Sequence, residues 1–90
     1  MTMPQFVIQR HIPGLSGFSK ETLQEITKKS NAVVAGLNEP YTWITSYVTG
    51  DTMYCIHEAE SAETVMRHAR EGGFPADSVS EVTTQIGPNY

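Results

Sequence analysis

The sequence predicts an α+β domain in which strands and helices follow one another as βαββαβ. Three observations carry this reading. A strand-rich run beginning at Trp43 turns at Gly50-Asp51 and continues through Glu58. A short amphipathic helix follows it and stops at Gly72-Gly73-Phe74-Pro75. A strand–helix pair precedes this block and a last strand follows it. That order implies a four-stranded antiparallel sheet with both helices on one face.

The first strand spans Gln5 to Arg10, where Phe6, Val7 and Ile8 suit a largely buried position. His11-Ile12-Pro13-Gly14 ends it. Ser19 is the N-cap of the first helix, since its hydroxyl can accept from the free amides of the next turn. Phe18 and Leu23 stand at the positions of a hydrophobic staple, and Glu21 meets the positive end of the helix dipole. Leu23, Ile26, Val33, Val34 and Leu37 recur at helical spacing, and the helix fades before Pro40.

Tyr41 to Val48 is aromatic and β-branched, hence a strand. Gly50-Asp51 fits a two-residue hairpin turn, which sets Thr49 against Thr52, Tyr47 against Tyr54 and Thr45 against Ile56. Strict alternation then puts Ile44, Ser46, Val48, Met53, Cys55 and His57 on one face. Trp43, Thr45, Tyr47, Tyr54, Ile56 and Glu58 take the other. Cys55, Ile44 and Val48 are expected beneath the helices, under Val65 and Met66. Ser61 caps the second helix, Glu63 and Arg67 form an i,i+4 pair, and the Gly pair supplies a left-handed stop. The last strand runs from Val79 to about Ile86, with Val82 and Ile86 as core contacts, and residues 87–90 read as a tail.

Ninety residues make one domain, 1–90, with room for one core. Apolar residues are 39% and charged residues 18%, which fits a globular chain and excludes a disordered one. Six Lys and Arg against a net charge of −4 argue against nucleic acid. No apolar run has the length of a membrane span, and residues 1–9 have no signal-peptide pattern. A lone cysteine, Cys55, suits a reducing compartment, so the expected location is cytoplasmic.

In this ferredoxin-like arrangement the second face of the sheet is bare. Trp43, Tyr47, Tyr54 and Ile56 would make it a ligand or dimer face, since a patch of that kind marks a partner surface or ligand site. A two-fold homodimer with facing sheets, a dimeric α/β barrel-like assembly, is the expected cover.

Trp43-Ile44-Thr45-Ser46-Tyr47-Val48, Cys55, Gly72-Gly73-Phe74-Pro75-Ala76-Asp77 and Ser80-Glu81-Val82 resemble the small nickel-binding ferredoxin-like proteins of bacteria, a domain family of unknown function. The resemblance covers nearly the whole chain. It implies a homodimer of ferredoxin-like subunits and, in one branch, Ni²⁺ binding. Members often carry His at the position of Thr45 and an acidic residue at the position of Gln9. The metal positions it points to are therefore His11, Glu58, Gln9 and Thr45, with affinity reduced because a hydroxyl and a neutral amide replace an imidazole and a carboxylate. Ni²⁺ or another divalent transition metal is the cofactor so implied, and folding does not require it.

The other histidines have ordinary roles: His57 as a strand-end residue held by a local hydrogen bond, His68 as a half-buried residue near a helix C-terminus, where positive charge is favoured. No H-x-x-E-H or C-x-x-C spacing, nucleophile elbow or phosphate loop occurs. Cys55 has no neighbouring base and reads as core. The sequence leaves enzymatic activity open and favours none. The second function it supports is a small-molecule-binding module, or a cofactor-free enzyme, using the aromatic open face of the sheet.

Overall fold

The computed structural model describes residues 3–90. Strand β1 (Gln5–His11) leads through a 3-10 turn at Leu15–Gly17 to helix α1 (Lys20–Gly36). Strands β2 (Tyr41–Thr49) and β3 (Thr52–Ala59) form the hairpin, followed by helix α2 (Ala62–Gly72) and strand β4 (Ser78–Glu81). The sheet is antiparallel throughout, in the order β2-β3-β1-β4, which is the ferredoxin-like topology.

Both predicted caps are present. Ser19 Oγ accepts from the Thr22 amide at 3.1 Å, and Ser61 Oγ from the Thr64 amide at 3.4 Å. Helix α2 ends on Gly73 at φ 70°, a left-handed conformation that glycine adopts without a Cβ penalty. Arg67 departs from expectation. It turns away from Glu63 and pairs with Glu71 one turn on and, at 2.7 Å, with Glu39 before β2. A planar guanidinium can serve two carboxylates at once.

The hairpin register is as expected, with Thr49 opposite Thr52, Tyr47 opposite Tyr54 and Thr45 opposite Ile56. Gly50 takes a positive φ of 61° at the turn. Beyond Thr45 the ladder shifts, for Trp43 pairs with His57 and Ile44 has no partner. Ile44 is thus a β-bulge, and one extra residue reverses the parity of the strand beyond it. Trp43 therefore belongs to the helix-covered face and not to the open face where strict alternation puts it. Ile44, expected in the core, is 45% exposed, and Val48 is 46% exposed at the hairpin end of an edge strand.

The core gathers Phe6, Ile8, Leu15, Met53, Cys55, Ala59 and Val65 between sheet and helices. Cys55 and Val65 are buried as expected, while Met66 is half-buried. Helix α1 buries only Ser30 completely, and its apolar stripe at Leu23, Ile26, Val33 and Val34 is half-buried. Strand β4 stops at Glu81, short of the expected Ile86. Its partner β1 begins at Gln5, whose carbonyl accepts from the Val82 amide at 2.8 Å, and no further rung exists. Ile86 is consequently 73% exposed and contributes nothing to the core.

Candidate functional site

Register places the residues of the open face in rows across the strands. Gln5, Glu58 and Thr42 form one row; Val7, Ile56 and Thr45 the next; then Gln9, Tyr54 and Tyr47; then His11, Thr52 and Thr49. Tyr47 is 60% exposed and Tyr54 36%, with Val7 and Ile56 half-buried in the neighbouring row. The two middle rows set Val7, Ile56, Tyr54 and Tyr47 beside the polar Gln9 and Thr45, and the end rows are polar throughout.

His11, Glu58, Gln9 and Thr45 share that face without meeting. Six residue steps along β1, from Gln5 to His11, separate the rows of Glu58 and His11, roughly 20 Å along a strand. Glu58 accepts a hydrogen bond from Gln5 Nε2 at 3.1 Å, and the His11 amide donates to the Asp77 carboxylate. Gln9 and Thr45 lie on β1 and β2, with β3 between them and in different rows. Among the described residues no three His, Cys, Asp or Glu side chains stand together as a metal group. The donors within one chain therefore do not fit a transition-metal ion.

The covered face holds a second, denser set of polar groups. Alternation from Phe6 and Ile8 brings Arg10 to the inner side of β1, where it is 3% exposed. It forms no salt bridge among the described residues. Its Nη1 donates to the Pro75 carbonyl, and its guanidinium lies 5.7 Å from the centre of the Phe74 ring. His68 on α2 is 1% exposed, with Nε2 3.1 Å from Ser30 Oγ of α1, and its Nδ1 has no partner. His57 on β3 is 2% exposed and shares a short hydrogen bond with the Tyr41 hydroxyl. The two imidazoles lie edge to face at 5.2 Å, and the Tyr41 ring stacks on His68 at 5.2 Å.

His57 has the hydrogen bond expected of it, whereas His68, expected half-buried, is fully buried. Burial, reinforced by the charges of His68 and Arg10, pushes His57 down to about 3. Burial and the Arg10 cation push His68 down to about 4. Both rings are neutral near pH 7, so His68 does not serve as a cation at a helix end. Burial likewise holds the Tyr41 hydroxyl well above its ordinary range, so it remains a donor.

Trp43 Nε1 donates to Ser46 Oγ at 2.9 Å, and Ser46 donates to Cys55 Sγ at 3.0 Å. Next to this chain lies a cavity of about 50 Å³ lined by Arg10, Ser30, Cys55, His68, Trp43 and Phe74 among others. It shares Ile26, Trp43, Ser46 and Met53 with a groove of about 440 Å³ between α1 and β2.

Gly72 holds this arrangement close to α2. A Cβ at Gly72 would strike the ring of Phe74, which stacks on His68 at 5.5 Å. Gly72→Ala is expected to cost about 1–2 kcal/mol, since overpacking outweighs the gain in helix propensity. The corresponding fall in melting temperature is roughly 5–10 °C by calorimetry. An unchanged or higher melting temperature would show that Phe74 moves aside freely.

The signal for Arg10 was present in the sequence, at the next inward position after Phe6 and Ile8. Nothing local marked Ser30, Tyr41 or Phe74, which come together from three different parts of the chain.

The family model described as nickel responsive protein, SCO4226-like, matches residues 6–82. The solved structure of SCO4226 from Streptomyces coelicolor A3(2) is similar at a TM-score of 0.75 and 25% identity, covering 91% of this chain and 99% of that one. No curated protein sequence matches the chain.

Proposed function

The chain belongs to the family of SCO4226-like nickel responsive proteins, and from that footing we propose that it is a small homodimeric binding protein with weak affinity for nickel. The observation that carries the reading is the open sheet face. Its centre, Val7, Ile56, Tyr54 and Tyr47, is apolar and aromatic, and a second copy related by a two-fold axis is the simplest cover for it. The polar groups His11, Glu58, Gln9 and Thr45 ring this centre. A neutral amide, a hydroxyl and one imidazole remote from the one carboxylate make a poor donor set for Ni²⁺.

Titration calorimetry with Ni²⁺ on tag-free protein tests the metal half. The expected dissociation constant is weaker than about 100 µM, equivalent to less than ~5.5 kcal/mol of binding free energy. Thr45→His with Gln9→Glu is expected to bring little gain, because β3 separates the two positions. Tight stoichiometric binding by the unmodified chain would refute the weak-site reading. Sedimentation tests the other half, and a 10.0 kDa monomer at ~100 µM would refute the dimer, since stable dimers dissociate far below that concentration.

A second reading, a small-molecule-binding module, is favoured by one observation: the cavity and groove beside Trp43. It moves the ligand from the open face to the space between the sheet and α1.

A further inference from the structure

We propose that the pocket between α1 and the sheet binds a small organic carboxylate, its anionic head against Arg10 and His68 and its apolar body in the groove beside Trp43. This rests on the small-molecule reading above and names the ligand's class.

The argument begins with the charge of Arg10. A cation 3% exposed has lost most of its water, and burying an uncompensated charge is costly. Its protein partners are a carbonyl and an aromatic face, both of which leave the net positive charge in place. No Asp or Glu pairs with it among the described residues. A guanidinium has five N–H donors in a planar fork that matches a carboxylate, and Arg10 lines the inner cavity.

His68 supplies the second feature. It lines the same cavity, and its Nδ1 is buried without a partner. When the Ser30 hydroxyl donates to Nε2, the proton of the neutral ring stands on Nδ1 and can be donated to an anion. The neutral ring agrees with the depressed pKa of about 4.

Size sets the rest. The inner cavity of about 50 Å³ has room for a carboxyl group, or for a water or two at roughly 30 Å³ each. The groove of about 440 Å³ has apolar walls at Leu23, Ile26, Trp43, Ile44, Val48 and Met53, with four polar residues, Asn31 among them, along the rest of its lining. Its volume falls in the usual range for small-molecule sites. The bulge at Ile44 helps to build it, since the bulge turns Trp43 inward at the junction of the two spaces. The larger concavity of about 780 Å³ along α2 is a charged basin where Arg67 and Glu39 already pair, and it has no buried unpaired group.

Trp43 is the only tryptophan of the chain, so its fluorescence reports this pocket alone. The probes are phenylacetate and its neutral isostere phenylacetamide. Phenylacetate is expected to change the emission saturably, and to bind at least ~10-fold tighter than the amide, a difference of about 1.4 kcal/mol. Arg10→Gln is expected to abolish that preference. Should this variant fail to fold, the acid-to-amide ratio on the unmodified chain decides the matter. Equal affinity for acid and amide would overturn the anion assignment and leave the pocket standing. No change in emission with either probe up to about 10 mM, well above a millimolar dissociation constant, would overturn both.

Discussion

Lowering the pH from 7.5 to 5 is expected to reduce the melting temperature by roughly 10 °C. His57 and His68 are neutral in the folded protein, with pKa values of about 3 and about 4, against an unfolded value near 6.5. Below pH 6.5 the unfolded chain takes up protons that the folded chain refuses, so stability falls with falling pH. The loss proceeds from about pH 6.5 and levels off only below the folded values. Each histidine contributes at most about 1.36 kcal/mol per pH unit. Allowing half for solvent entry and relaxation, the two together cost about 2 kcal/mol at pH 5. That is a large part of the stability of a small domain.

Every element around the rings bears on this result. Beyond burial itself, His68 of α2 and then Arg10 of β1 disfavour protonation of His57, and Arg10 disfavours that of His68. The hydrogen bond to Ser30 of α1 and, after it, Glu71 on α2 favour that of His68, and the Tyr41 hydroxyl of β2 carries no charge. His68→Gln retains a polar group for Ser30 and is expected to flatten the pH dependence. Equal melting temperatures at pH 5 and 7.5 would show that the rings already carry protons, or reach water, in the folded protein.

Ile56→Glu is expected to break the proposed dimer. Ile56 lies mid-row between Val7 and Thr45 at the centre of the open face. Within a single subunit the new carboxylate reaches water and the fold is retained. Beneath a second sheet it is a buried, unpaired charge, and removing it from water costs several kcal/mol. Association should weaken by at least ~100-fold, about 2.7 kcal/mol. Sedimentation reads the dissociation, and circular dichroism checks that the fold survives. A variant that dimerises as tightly as the unmodified chain would place the interface elsewhere.

The sequence by itself determined the element order, both helix caps, the turn at Gly50 and the hairpin register from Thr45 to Ile56. These are local matters: a hydroxyl at the right spacing, a glycine where φ must be positive, a run of β-branched residues. Phe6, Val7 and Ile8 in one run hid the alternation of β1, so the inward place of Arg10 came only with the structure. The tertiary structure alone decided the rest. Tyr41 through Val48 is uniformly strand-forming, so nothing marked Ile44 as the extra residue that turns Trp43 inward. His68 lies at the edge of an amphipathic stripe, and its burial depends on α1, Tyr41 and Phe74 closing over it. His11 and Glu58 both face the open side, yet only the β1–β3 register sets them at opposite ends. Which face a side chain takes, and what it meets there, depends on pairing between distant segments, and local propensity cannot encode it.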